Sequence, residues 1–187
     1  MGVIRAFIAI PLPTEVQDFL GILCQIWSKQ IPEKSVRWVK PELMHITLRF
    51  LGNCEAGTLP ALADVLDEIA AQEDAFTLKL DKPGCFPNNK RPRVIWVGLQ
   101  GQLDGARALK QAVDDALVPL GWEQEGRSFR PHLTVGRLKD SRKVKGFQWK
   151  ANQKPLPVPV KAIYLIESEL HHTGPVYTVR HKSFLRR

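Results

Sequence analysis

The chain has 187 residues, of which 44% are hydrophobic, enough apolar material for one domain with a sizeable core. Its formal net charge of +8 favours a polyanionic partner such as nucleic acid or a phosphorylated small molecule, although basic proteins of ordinary function are common. No apolar stretch reaches membrane-spanning length and the first residues lack a signal-peptide pattern, so we predict a soluble, cytoplasmic protein. Three cysteines without C-x-x-C spacing predict reduced thiols: Cys24, Cys54 and Cys85.

The apolar periodicity along the chain predicts strands and helices in two similar series. The predicted strands are residues 3–10, 36–39, 45–51, 76–80, 94–99, 132–138, 162–166 and 177–180, and the predicted helices are residues 14–31, 59–69 and 103–120. Residues 81–92, rich in proline and asparagine, are interpreted as the seam between two halves. Residues 139–159 are predicted to form a surface loop, either a basic lip over a site or solvated charge. A basic tail follows at 182–187.

A His-x-Thr motif occurs twice on a predicted strand, in residues 44–52 and again in residues 131–138. Successive side chains of a strand point to opposite faces, so each copy places an imidazole and a hydroxyl opposite an apolar face. The two histidines are 87 residues apart (132 − 45), and the surrounding strands and helix recur near the same offset, which indicates an internal duplication. The four polar residues are His45, Thr47, His132 and Thr134.

Two histidines facing one another across a groove suit an in-line displacement at phosphorus, with one imidazole as base and the other as acid. The threonine hydroxyls are expected to hold the phosphoryl oxygens, with help from arginines. Strand parity places Arg49 on the His45 face, Arg130 precedes the second motif, and Arg137 is out of phase unless a bulge intervenes. No histidine has the i, i+4 spacing of a zinc ligand, so no metal or cofactor is predicted.

A single His-x-Thr on a strand is more often structural than functional, and the duplication is what favours a site. A third match at residues 171–173 runs directly into Gly174 and Pro175 and lacks apolar alternation, so it is interpreted as a turn.

Both motifs with their flanks resemble the 2H phosphoesterases, and within them the RNA 2′,3′-cyclic phosphodiesterases, also called 2′-5′ RNA ligases. The resemblance extends over nearly the whole chain, through residues 5–10, 38–52, 84–87, 91–98, 129–137, 167–170 and 174–177. It implies an α+β fold of two pseudo-symmetric lobes, each an antiparallel sheet with outer helices, flanking a central cleft. With the duplication, it predicts one domain over residues 1–187, with lobe-forming repeats near residues 1–82 and 93–187.

The same resemblance implies hydrolysis of a terminal ribose 2′,3′-cyclic phosphate to the 2′-phosphomonoester without metal or ATP, and in some members the reverse joining of RNA ends. By position, His45 and His132 are the acid–base pair, with His45 favoured as the acid, and Thr47 and Thr134 are the phosphate donors. Arg137 matches the arginine that commonly follows the second motif. The family often has lysine in place of Arg49, which preserves charge but alters geometry.

Two other functions fit the same residues. One is a protein that captures an RNA or nucleotide phosphate without turnover, and the other is a phosphodiesterase for a small cyclic nucleotide or an ADP-ribose cyclic phosphate. The expected partners are therefore RNA ends or nucleoside 2′,3′-cyclic phosphates, with no membrane partner, and a monomer is expected. Four aromatic residues are candidates for base stacking, and at least two of them are expected in the core: Trp38, Phe86, Trp149 and Tyr177.

Overall fold

The structure is a computed structural model that describes residues 2–144, 146–150, 156–172 and 174–187. Strands dominate this part of the chain, and the three α-helices found in it connect or cover them. The strands are β1 (Val3–Pro11), β2 (Val36–Trp38), β3 (His45–Glu55), β4 (Phe76–Phe86), β5 (Val94–Gly101), β6 (His132–Leu138), β7 (Pro157–Val160), β8 (Ala162–His171) and β9 (Gly174–Phe184). The helices are α1 (Thr14–Ser28), α2 (Leu59–Ala70) and α3 (Leu103–Leu117).

All nine strands belong to one antiparallel sheet in the order β7-β4-β5-β6-β3-β1-β8-β9, with β2 also paired to β6. The α+β class and the antiparallel pairing are confirmed. The two halves of the sheet meet where β3 runs beside β6, and the register between these strands is a single pair, Ile46 opposite Leu133. The sheet is therefore continuous at its centre instead of being divided into two separate sheets.

Each half of the sheet takes strands from both sequence repeats. β4 belongs to the first repeat but pairs with β5 and β7, whereas β8 belongs to the second repeat and pairs with β1 and β9. The prediction that residues 1–82 and 93–187 each form one lobe is therefore wrong. The strands exchange because residues 81–92 do not form the predicted seam. β4 continues to Phe86, and the short connection to Val94 joins β4 and β5 in an antiparallel hairpin.

The helices cover one face of the sheet and leave the other open. On α1, Val16, Leu20, Leu23 and Trp27 recur at helical spacing and are buried. The Cys24 Sγ atom lies 4.0 Å from the Val135 carbonyl oxygen, which places α1 behind β6. α3 lies behind β3 in the same way, and Trp122, just beyond α3, donates its indole N–H to the Leu51 carbonyl at 3.0 Å. Residues such as Ile46 and Leu133 fill the core between sheet and helices.

Several predicted boundaries change in the structure. The segment 139–159 contains the start of β7, and Trp149 packs edge-on against Trp27 with 5.4 Å between ring centroids, so this segment is anchored in the core. Trp38 lies 6.3 Å from Trp149 in the same cluster, which makes both tryptophans structural. Residues 145, 151–155 and 173 lie outside the described part. The tail predicted at 182–187 begins inside β9.

Three sequence-based expectations concern thiols, membrane spans and the third His-x-Thr. All three cysteines are free and buried. Among the described residues, no helix has the length and apolar composition needed to cross a bilayer. His171 is the last residue of β8 and His172 lies in the turn that leads to β9, so the turn interpretation holds for His172 but not for His171, and residue 173 lies outside the described residues.

Candidate active site

The centre of the sheet brings the two His-x-Thr motifs together on its open face. Ile46 and Leu133 are paired and buried, so the residues on either side of them point to the opposite face. The antiparallel register sets His45 across from Thr134 and Thr47 across from His132. Directly opposed residues have Cβ atoms about 5 Å apart and diagonal ones roughly 7–8 Å apart. A diagonal pair of histidines at such a spacing leaves room for a phosphate between the rings.

Backbone carbonyls fix both imidazoles in the same way. His45 Nδ1 lies 2.8 Å from the Leu43 carbonyl oxygen, and His132 Nδ1 lies 2.7 Å from the Arg130 carbonyl oxygen. A carbonyl only accepts hydrogen bonds, so Nδ1 carries the proton in each ring. In the part of the chain that the structure describes, no protein group bonds to Nε2 of either ring. Each histidine thus keeps Nε2 for a substrate, as an acceptor when neutral and a donor when charged.

His45 has an apolar environment that lowers its pKa. Its ring stacks on Phe7 with 4.7 Å between centroids and meets the edge of Tyr177 at 5.7 Å. Burial is the main cause of the lower pKa, the hydrogen bond to Leu43 opposes it, and the charge of His132 lowers the pKa further. His45 is therefore held mainly neutral at pH 7 in the free protein, which suits a proton acceptor.

The second motif has its own aromatic surroundings. Phe86 lies edge-on to His132 at 5.0 Å, and the Trp96 ring is 6.5 Å away. The Trp96 indole lies so close to Gly84 that a Cβ at this position would collide with it, and a Cβ at Gly98 would lie 3.3 Å from the ring. These glycines let the indole lie against the sheet beside His132.

Arg49 does not lie on the His45 face, so its prediction as a phosphate ligand is wrong. β1 pairs Ile8 with Arg49 but Ala9 with Thr47, which leaves Leu48 unpaired in a bulge. The extra residue reverses the alternation, so Arg49 points to the helix side. There its guanidinium lies 3.3 Å from the Asp114 carboxylate and 3.7 Å from that of Glu125, and it donates to the Glu123 carbonyl.

A second bulge has the opposite consequence for Arg137. β5 pairs Ile95 with Gly136 but Trp96 with Thr134, so Val135 is the extra residue. Arg137 therefore shares the open face with His132 and is exposed. Burial raises the pKa of Tyr177, and the charges of Arg137 and Arg5 oppose this rise.

Arg130 contributes through its backbone, because its carbonyl holds His132 Nδ1, and its side chain is exposed. Two residues at the site were missed by the sequence reasoning, Phe7 and Arg5. Strict alternation along β1 places them on one face, and this signal could have been used. Phe7 reaches His45 through the pairing of β1 with β3, and the charge of Arg5 acts on Tyr177.

The described residues also show what the chain offers for metal ligation and thiol chemistry. No group of three or more His, Cys, Asp or Glu side chains arranged to hold a metal ion occurs within residues 2–144, 146–150, 156–172 and 174–187. Burial raises the pKa of Cys24 to about 12 and that of Cys85 to about 11. Both thiols stay protonated at neutral pH and are poor nucleophiles.

Comparisons with known proteins agree with this geometry. The family model described as 2'-5' RNA ligase superfamily matches residues 33–172. An Aeropyrum pernix protein named RNA 2',3'-cyclic phosphodiesterase is 33% identical over 147 residues, covering 76% of this chain and 82% of that protein. A Thermus thermophilus protein of the same name is 32% identical over 195 residues, covering 97% and 90%.

Among solved structures, E. coli LigT complexed with 3'-AMP superposes with a TM-score of 0.78 at 27% identity, and the match covers 100% of both chains. The duplicated motif, the antiparallel sheet and the extent of these matches lead to one conclusion: the chain belongs to the 2′-5′ RNA ligase superfamily, the group of 2H phosphoesterases.

Proposed function

We propose that this protein hydrolyses the 2′,3′-cyclic phosphate of RNA ends or nucleosides to the 2′-phosphomonoester, with His45 and His132 as the acid–base pair and no metal ion. One observation carries the proposal: both imidazoles sit on the open face at the sheet centre, each with Nδ1 bonded to a carbonyl and Nε2 left for substrate. Relatives of this chain named RNA 2',3'-cyclic phosphodiesterase support the reaction class.

The reaction needs one neutral and one protonated imidazole. The neutral ring takes a proton from water through Nε2 while the water oxygen bonds to phosphorus. The bond from phosphorus to the ribose 3′ oxygen breaks, and the departing oxygen takes the proton from Nε2 of the other ring. The histidines end with exchanged protonation states and recover by proton exchange with solvent. The hydroxyls of Thr47 and Thr134 donate to the non-bridging oxygens, where charge increases in the transition state.

The lowered pKa of His45 favours this residue as the base and His132 as the acid in the free protein. This assignment reverses the one favoured from the sequence, which had no measure of burial. Arg137 is the arginine with the geometry for phosphate contact, since it lies exposed on the same face as His132. The net charge of +8 favours an RNA substrate over an uncharged one.

The same groups can transfer the phosphoryl group to an alcohol instead of water. A 5′-hydroxyl of a second RNA end would replace the water, lose its proton to the base and attack phosphorus as the 3′ oxygen leaves. The product is a 2′-5′ phosphodiester with a free 3′-hydroxyl. We propose this ligation as the slower activity, because it needs two RNA ends aligned in one cleft.

The test is phosphorus NMR of adenosine 2′,3′-cyclic phosphate incubated with the protein and excess EDTA. We expect 2′-AMP alone, and a loss of about 10²–10⁴ in kcat with His45→Ala and with His132→Ala, the range for removal of a general acid or base. His172→Ala is the matched control, because His172 belongs to the third His-x-Thr and lies exposed in a turn.

Activity that survives both active-site substitutions contradicts the mechanism. Activity abolished by EDTA and restored by a divalent metal contradicts metal independence. Tight binding of the nucleotide without any product favours the alternative of a non-catalytic phosphate-binding protein.

A further inference from the structure

Each motif strand has a bulge at the same distance from its histidine, and β3 has a second register shift at Leu51. The shared bulge is at Leu48 in β3 and at Val135 in β6, and both residues lie three positions after the motif histidine. In each strand the fifth residue after the histidine therefore returns to the open face. In β6 this residue is Arg137, and in β3 it is Phe50.

Phe50 is an unusual residue for this position. It is an apolar side chain on the open face of the sheet, and it is 58% exposed. Its ring lies 6.1 Å from that of Phe7, which is only 3% exposed and stacks on His45. Phe50 thus packs on the buried ring of Phe7, which itself stacks on His45, and it presents apolar surface to solvent.

A cyclic nucleotide is less symmetric than the site. Its phosphate can occupy the centre between two equivalent His-Thr pairs, but the base and the remaining chain extend to different sides. A cation suits further phosphate groups, whereas an aromatic ring suits a nucleobase, since every base has a π-face. Arg137 and Phe50 stand at matched positions on the two sides and supply these two different chemistries.

We propose that Phe50 is the platform on which the nucleobase of the terminal nucleotide stacks, an inference that rests on the proposed function. Other aromatic residues at the site are less suited. Phe7 is buried beneath Phe50, and Tyr177 meets both Phe7 and His45 by its edge. Phe86 packs against Trp96 at 5.2 Å and against the ring of His132.

The test compares a substrate with a base and one without. Phe50→Leu keeps apolar bulk over Phe7 but removes the aromatic face. We expect kcat/KM for adenosine 2′,3′-cyclic phosphate to fall by roughly 5- to 150-fold, the range for loss of one base-stacking contact. For methyl riboside 2,3-cyclic phosphate, which has no base, we expect no change. Phe50→Trp keeps an aromatic face, so we expect it to retain the preference for the adenosine substrate over the one without a base. Phe184→Leu is the matched control, because Phe184 is an exposed phenylalanine on β9, at the edge of the sheet.

Calorimetric binding of 2′-AMP and of methyl riboside 2-phosphate separates this proposal from the proposed function. Suppose that the wild-type protein turns over neither substrate but binds 2′-AMP more tightly than methyl riboside 2-phosphate, and that Phe50→Leu removes this preference. The base-stacking role of Phe50 is then supported, and the proposed hydrolysis is contradicted. An equal loss with both compounds means a structural role for Phe50 and overturns the proposal. A base-dependent loss in Phe86→Leu but not in Phe50→Leu assigns the platform to Phe86 and also overturns it.

Discussion

Replacement of Arg49 by methionine tests whether this arginine supports the fold or contacts substrate. The Arg49 and Asp114 side chains are only 8% and 7% exposed and lie 3.3 Å apart. Lys110 lies 2.6 Å from Asp114 and 2.7 Å from Glu125, so the cluster holds two cations and two carboxylates. Methionine fills a similar volume without charge, and it leaves the cluster one positive charge short.

The expected cost follows from these contacts. Removal of one partner of a buried ion pair costs about 3–5 kcal/mol in unfolding free energy. Asp114 keeps Lys110, which favours the lower end, and the Glu123 carbonyl loses the donor that Arg49 supplies. We therefore expect Arg49→Met to lower the free energy of unfolding by about 3 kcal/mol, which is a fall in Tm of about 6–12 °C for a chain of this size.

Urea unfolding followed by tryptophan fluorescence measures the loss, and kcat/KM is measured on the folded enzyme. Arg107→Met is the matched control, because Arg107 lies on α3 in an ion pair with Asp104 but is 56% exposed. It should change stability by less than about 0.5 kcal/mol. The reasoning is refuted if Arg49→Met leaves stability unchanged while kcat/KM falls by about 10²-fold or more, the signature of a lost transition-state contact.

Two further predictions concern the histidine pair and the packing behind the second motif. In NMR titrations we expect His45 to have a pKa below 6.5, because burial and the charge of His132 both oppose its protonation. His132→Gln should raise this pKa, because it removes the repulsion. A His45 pKa that falls or stays the same in this variant contradicts the coupling between the two histidines. We expect Gly136→Ala to cost about 1–3 kcal/mol in urea unfolding by overpacking, because the new Cβ would lie 2.7 Å from Val36 Cγ1 and 3.1 Å from the Trp38 ring. Gly126→Ala meets no atom within 4 Å and is its control, so equal losses in the two variants would remove the steric explanation.

The bulges explain why side-chain alternation gave the wrong face for Arg49. They also explain why Arg137 reaches the open face, which alternation allowed only if a bulge intervened. Period-two alternation holds along a strand as long as each residue has one partner. A bulge is defined by two strands together, as when Ile8 and Ala9 of β1 skip Leu48 of β3. The motif sequence itself contains no signal for it, since Leu48 and Val135 are ordinary strand residues. Arg49 and Phe50 consequently exchanged faces with respect to the prediction.

The exchange of strands between the repeats has a similar origin. The offset of 87 residues between the histidines identified the duplication, but the offset is equally compatible with strands that stay in their own repeat. The short connection between β4 and β5 decides the matter, because it forces these strands into an antiparallel hairpin. β8 then fills the corresponding position beside β1.

The sequence by itself determined the parts of this protein that depend on local pattern: two apolar strands with an imidazole and a hydroxyl on the polar side, their duplication, and free cysteines. These follow from side-chain alternation and composition, which are readable one segment at a time. Only the tertiary structure decided that His45 packs against Phe7 and Tyr177, that Arg49 is an internal ion-pair partner, and that Phe50 and Arg137 reach the open face. Each of these depends on which strand lies beside which, and pairing partners far apart in the chain leave no mark on the local sequence.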